Sequence, residues 1–361
     1  MVNNDYRKDK FMEDIYISKK RRQPEEIDFV FLDEPAPPQF PQDEEPPKRK
    51  KKKKHRFLKF IATVLIIAFL FGSAFIFVFA AMSGYTRDDL EANEYVSSFE
   101  LESSPFVSNI LLLGVDGNAD SSSRSDSMIL VSVDFAHMKI KLTSFLRDSW
   151  VEIPSKGKKA KLNSACSSGG PQLVVDTIEY NFGVDIDHYV MVDFDMFTQI
   201  IDSLGGVTVE VTKKEAKFIN STTRQKVESG ENVTLNGDEA LVYCRIRKLD
   251  SDYMRTYRQR KVISALINQA KKAGISALIE TMNNVFPLIK TDMSALEITG
   301  LAYKAGIGIV AFDIEQNRVP IDEHMEVGTK NGQWVEVVDI DAAKEYLQDY
   351  IYTNKIKIEE E

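Results

Sequence analysis

At 361 residues, with 43% hydrophobic and 28% charged composition, the chain can bury one sizeable core or two small ones. A formal charge of −9 excludes general basicity as the cause of any local arginine cluster. Two cysteines, Cys166 and Cys244, are too few for a disulfide framework and too sparse for a zinc site, and read as free thiols or at most one bridge. The histidines, His55, His137, His188 and His324, are scattered, which disfavours hydrolytic triad chemistry.

Residues 1–47 are acidic, with prolines concentrated in their second half, and predict a disordered tail. "KRKKKKKHR" (48–56) follows, and then an uncharged run from Phe60 to Met82. As a helix that run would rise roughly 35 Å against a hydrocarbon core of about 30 Å. The basic flank predicts a cytoplasmic N-terminus, hence a single-pass type II signal anchor at 60–82 behind a cytoplasmic tail at 1–59. Residues 83–104 then form an extracellular linker and 105–361 an extracellular domain.

In that domain "NILLLGVD" (109–116), "SMILVSVD" (127–134) and "KIKLTSFLRD" (139–148) read as strands, the last two joined through "FAHM" as a hairpin. The loop "GNADSSSRSD" is small and polar enough to bend round a ligand. A helix over 169–183, a strand over 188–194, a helix over 195–206 and a strand "VTVEV" follow. From Leu241 to Arg247 period-two alternation predicts a strand, with Tyr243, Arg245 and Arg247 on one face. Residues 253–272 predict an amphipathic helix whose buried stripe takes in Arg255, Arg258 and Gln259, leaving Arg260 and Lys261 on a solvated face. The strand-like runs "IGIVAFDI" and "WVEVVDI" and a last helix complete the fold.

Arginines on inward faces are heavily destabilising unless an anion pairs with them, and Asp250 and Asp252 neutralise only two. The planar guanidinium fork matches phosphate bidentately, so a diphosphate suits both charge and geometry. Asp116 ends one predicted strand and Asp126 begins the next, so both can meet at one rim of the sheet. Carboxylates facing phosphate oxygens suggest Mg²⁺. Aromatic interleaving is too sparse for a nucleic-acid partner, which would also lie on the wrong side of the membrane.

The blocks "LLLGVD", "RSDSMILVSVD", "KIKLTSFLRDSWVEIP", "KLNSA", "DHYVMVDFDMFTQIIDSLGGVTVEV" and "LNGDEALVYCRIRKLDSDYMRTYRQRKVI" occur in this order. Together they resemble the LytR-CpsA-Psr family from about 108 to 272 and, more weakly, beyond, so over most of the extracellular domain, departing at Met254. The resemblance implies an α/β domain with a mixed central sheet flanked by helices and an apolar lipid tunnel. It implies Mg-dependent transfer of a polyprenyl-diphosphate-linked glycopolymer, teichoic acid or capsule, to peptidoglycan in a Gram-positive cell membrane. Asp116 and Asp126 would then hold Mg²⁺, and Arg124 and Arg147 would contact the diphosphate with Arg245, Arg247, Arg255, Arg258 and Gln259. By elimination Asp250 or Asp252 is the candidate general base, with a displaced substrate oxygen as the alternative. A receptor of lipid-linked precursors is the competing reading; it shares the arginines and has no use for a catalytic ion.

Overall fold

The computed structural model describes residues 86–117, 123–272, 284–294, 296–298, 300 and 312–356. The expected tail and anchor, 1–59 and 60–82, lie outside the described residues. Among those described, no helix is long and apolar enough to cross a membrane.

The chain opens with β1 (Thr86–Arg87), β2 (Val107–Val115), β3 (Ser125–Asp134), β4 (Lys139–Phe145), β5 (Ser149–Ile153) and β6 (Lys158–Lys161). Helix α1 (Cys166–Phe182), β7 (His188–Val192), α2 (Phe194–Ser203), β8 (Val207–Val211), α3 (Lys213–Thr223) and β9 (Gly230–Leu235) follow. Then come α4 (Gly237–Cys244), α5 (Asp252–Lys272), β10 (Lys290–Thr291), β11 (Asp313–Val319), β12 (Met325–Lys330), β13 (Gln333–Val338) and α6 (Ile340–Gln348).

The central sheet is mixed, in the order β1-β10-β7-β2-β3-β4-β11. β3 and β4 form the expected hairpin, pairing from Asp134↔Lys139 to Ile129↔Ser144. Asp134 Oδ1 closes its turn by accepting from Ala136 N and His137 N, at 3.1 and 3.0 Å. Period-two alternation sends the two faces of these strands into different cores. Met128, Leu130 and Phe145 join α1 and α6 on one face. Ile129, Ile140 and Leu142 meet Ile263 and Ile267 of α5 on the other. A smaller sheet, β12-β13-β5-β6, and the β8-β9 pair complete the framework.

Two expectations need correction. Residues 241–247 are not a strand: α4 occupies Gly237–Cys244, started by a capping box in which Asn236 and Glu239 bond each other's backbone N–H groups. Tyr243 is therefore buried and Arg245 exposed, and the proposed cationic strand face does not exist. Arg260 is not solvated either, being 3% exposed. Helix α5 lies between two cores, with Val262 and Leu266 packed toward β8 and Ile263 and Ile267 toward the central sheet, so its buried arc exceeds one stripe. Of the run "IGIVAFDI", residues 307–311 lie outside the described residues, and its last two residues open β11. Both cysteines are buried, and neither is in a disulfide.

Candidate active site

The site forms where β3 begins, β4 ends and α5 starts. Asp126 Oδ1 accepts from Arg147 Nη1 at 2.8 Å, and its Oδ2 accepts from Arg247 Nη2 at 3.1 Å. Its backbone carbonyl accepts from Arg255 Nη2 at 3.3 Å. Asp252, in the first turn of α5, lies 2.9 Å from Arg255 Nη2 and 3.7 Å from Arg147 Nη2. Asp148 accepts from Lys161 Nζ at 2.7 Å. Ser127 Oγ donates to Gln259 Oε1 at 3.1 Å, locking the helix to the strand.

Four cations, Arg147, Lys161, Arg247 and Arg255, thus share three carboxylates, Asp126, Asp148 and Asp252. Hydrogen-bonding capacity is left over. Arg255 Nε and Nη1 are buried without a partner. Arg147 Nε stands 3.3 Å from Asp148 Oδ2, within ion-pair range but without hydrogen-bond alignment. Unpaired buried donors of this kind cost free energy until an acceptor reaches them. Burial pushes the Asp126 carboxyl up, yet the charge and hydrogen bond of Arg147, with the charges of Arg247 and Arg255, overcome that push and hold it below the usual carboxylate range. Burial pulls the Arg255 guanidinium down to about 10, with Asp252 opposing and Arg147 and Arg247 reinforcing the pull.

Not every expected residue arrives here. Arg258 turns the other way, donating from Nε to Glu215 Oε1 at 2.6 Å and from Nη1 to Ile246 O at 3.2 Å, and pairing with Asp250. Asp250 is thereby tied to a structural clamp, whereas Asp252 belongs to the site. Arg245 lays its guanidinium over the Phe194 ring, 4.2 Å from the centroid. Arg124 and Asp116 lie at the exposed end of the β2-β3 connection, with Arg124 N donating to Asp116 Oδ1 at 3.2 Å. Despite Met254, Arg255 is packed to 1% exposure. Ser127, Asp148 and Lys161 were not singled out from the sequence, although Asp148 directly follows Arg147 and Lys161 opens "KLNSA".

Among the described residues no group of three or more His, Cys, Asp or Glu side chains is arranged to hold a metal ion. Asp116 directly follows β2 and Asp126 is the second residue of β3, so both stand at the same end of the paired strands. A carboxylate has about four lone-pair sites, and the two arginine bonds leave room on Asp126.

This is an α/β domain whose guanidinium groups gather on strand-end carboxylates, the chemistry of an anion-binding site. Residues 75–349 match the LytR-CpsA-Psr family, and the chain belongs to it. It is 39% identical over 189 residues to TagU of Halalkalibacterium halodurans, named as a polyisoprenyl-teichoic acid–peptidoglycan teichoic acid transferase. That alignment covers 51% of this chain and 60% of the relative, so the chain spans less than two thirds of that relative's length. The fold is similar to TagT bound to LI-WTA, with a TM-score of 0.60 at 26% identity, covering 74% of this chain and 99% of that one. It is also similar to TagT with bound octaprenyl pyrophosphate lipid, with a TM-score of 0.56 at 25% identity over 73% and 99% of the two chains.

Proposed function

We propose that this protein transfers a polyprenyl-diphosphate-linked anionic glycopolymer, a teichoic acid or capsular polysaccharide, to a peptidoglycan hydroxyl and releases polyprenyl phosphate. The observation that carries this reading is the gathering of Arg147, Arg247 and Arg255 round Asp126 with buried guanidinium nitrogens still lacking acceptors. A diphosphate supplies bidentate acceptors of the required charge. The name of TagU and the octaprenyl pyrophosphate held by TagT support the same substrate class.

In the proposed reaction an acceptor hydroxyl attacks the glycan-linked phosphorus. A new P–O bond forms as the bond to the bridging oxygen breaks, and that oxygen departs with the electron pair as polyprenyl phosphate. Arg147, Arg247 and Arg255 orient the diphosphate and stabilise charge on its equatorial and leaving oxygens. Asp252, placed between Arg147 and Arg255, takes the hydroxyl proton. Asp116 and Asp126 would hold Mg²⁺, which when bound adds positive charge at the phosphate oxygens.

In this reading 60–82 anchors the chain once in a Gram-positive cell membrane, with the lysine-rich flank inside and the α/β domain outside. The test is transfer itself: full-length protein in detergent, a purified polyprenyl-diphosphate glycan and peptidoglycan fragments. Glycan-linked peptidoglycan and polyprenyl phosphate should form in equal amounts. Tight donor binding without any transfer would favour the receptor instead.

A further inference from the structure

Arg260 differs from every other arginine of α5. It is 3% exposed, its Nη1 donates to Ser144 Oγ at 2.8 Å, and its Nε is buried with no partner. Arg255 and Arg258 each pair with a carboxylate, whereas Arg260 has none within ion-pair distance among the described residues. Its cationic neighbour Arg318 is already matched, lying 2.7 Å from Asp322 and over the Tyr253 ring at 4.7 Å. Burial first, and then the charge of Arg318, pull the Arg260 guanidinium down to about 10, with the tyrosines at 253, 350 and 257 opposing. A buried guanidinium without a carboxylate is a strong demand for an anion.

Its position says which anion. Ser127, bonded to Gln259, marks the diphosphate end of one face of β3. Two residues further, roughly 7 Å along the strand, Ile129 pairs with Ser144, and Arg260 sits on Ser144. The next residues on the same face, Val131 with Leu142 and Val133 with Ile140, are apolar and pack against Ile263 and Ile267 of the same helix. The face thus passes from polar, through one unmatched cation, to hydrocarbon. A prenyl phosphate has that sequence of chemistry from its diphosphate end to its chain.

We propose that Arg260, held by Ser144, is a binding residue for the phosphate that carries the polyprenyl chain, the group that departs in the reaction. This rests on the function proposed above. When the bridging P–O bond breaks, its oxygen gains a full charge on that phosphate, and Arg260 faces the charge where the site gives way to hydrocarbon. The proton of the acceptor hydroxyl remains with Asp252, so Arg260 donates hydrogen bonds and transfers nothing.

The test compares three probes on full-length protein in detergent: geranylgeranyl phosphate, geranylgeraniol and inorganic diphosphate. Arg260→Gln should weaken geranylgeranyl phosphate by about tenfold or more, as loss of a hydrogen bond to a charged group does. Geranylgeraniol, which carries no phosphate, should stay within about twofold. Ser144→Ala, which keeps the guanidinium and frees its Nη1, should show the same selectivity at a smaller factor and covers the case in which Arg260→Gln does not fold. Equal losses for all three probes would assign Arg260 to the fold alone and overturn the proposal. So would unchanged affinity for geranylgeranyl phosphate. If the parental protein binds diphosphate and either of these results appears, only the Arg260 assignment falls; if it binds neither phosphate probe, the proposed function falls with it.

Discussion

Replacing Arg258 by Met separates the arginines that hold the fold from those that hold the ligand. Its side chain is 3% exposed and bridges Glu215, 9% exposed, to Asp250 and the carbonyl of Ile246. Removing one partner of a buried ion pair costs about 3–5 kcal/mol, because the remaining charge stays desolvated. For a domain of this size that is a fall in Tm of roughly 6–20 °C. Burial pushes the Glu215 carboxyl up, but hydrogen bonds from Arg258 and Thr212 outweigh burial and hold it below its usual range. A depressed acid contributes stability above its unfolded value of about 4.3 and loses it as pH falls through the folded value. The gap in Tm between parent and variant should therefore be full at pH 7 and narrow as pH falls below that unfolded value. Thermal unfolding of full-length protein in detergent across pH 3.5–7 measures it. A loss under about 1 kcal/mol at pH 7, or a gap that persists unchanged into acid, would refute the clamp.

The site makes further demands. Arg247→Lys and Arg255→Lys should each impair glycopolymer transfer although charge is kept, since an ammonium cannot reproduce the bidentate fork; parental rates in both would end the diphosphate geometry. Asp126→Ala should abolish transfer, and chelation should do so in the parent, while binding of the lipid donor falls much less; chelator-resistant transfer would remove Mg²⁺ from the mechanism. Burial first, with the charges of Asp148 and Asp252, pushes the Glu336 carboxyl up to about 7 against Arg318 and Arg147. A raised acid loses stability as pH rises from its unfolded value of about 4.3 toward 7, so Glu336→Gln should gain stability relative to the parent over that interval. Equal pH profiles would place that carboxylate in water. Protease added to intact spheroplasts should digest 84–361 and spare the tail, and protection of the C-terminal domain would reverse the topology.

The central hairpin was legible because both strands alternate cleanly and each face has its own core: Leu130 and Leu142 point to opposite sides. Helix α5 was legible in extent and misleading in face. A single apolar stripe was counted, yet the helix fills a gap between two cores, which periodicity in one segment cannot reveal. The stretch "ALVYCRIR" satisfies both periods. Val242, Cys244 and Ile246 alternate, whereas Ala240, Tyr243 and Cys244 recur as one helical face. The local signal that decides between them is "NGDE" upstream, a helix start with Asn236 and Glu239 three residues apart. Lys161 and Asp148 could not be found by spacing, because their meeting depends on the β5-β6 pairing that places Lys161 opposite Trp150.

The acidic balance of the domain does not oppose an anion site, because the arginines are divided by what each one faces. Arg258 is surrounded by carboxylates and a carbonyl, so nothing remains for a ligand. Arg147, Arg247 and Arg255 share Asp126 and Asp252, a pairing that keeps the site folded when empty and that a diphosphate can replace, since its oxygens offer more charge and more lone pairs than one carboxylate. On the proposed function, donor binding would release the carboxylates from the arginines. For Asp252 this matters chemically: carboxylate oxygens now turned toward Arg147 and Arg255 would be free to accept a hydrogen bond from the acceptor hydroxyl. On the proposed function, the same exchange that binds the donor frees the group proposed to activate the acceptor, which makes the order of binding, donor before acceptor, a consequence of the charge arrangement.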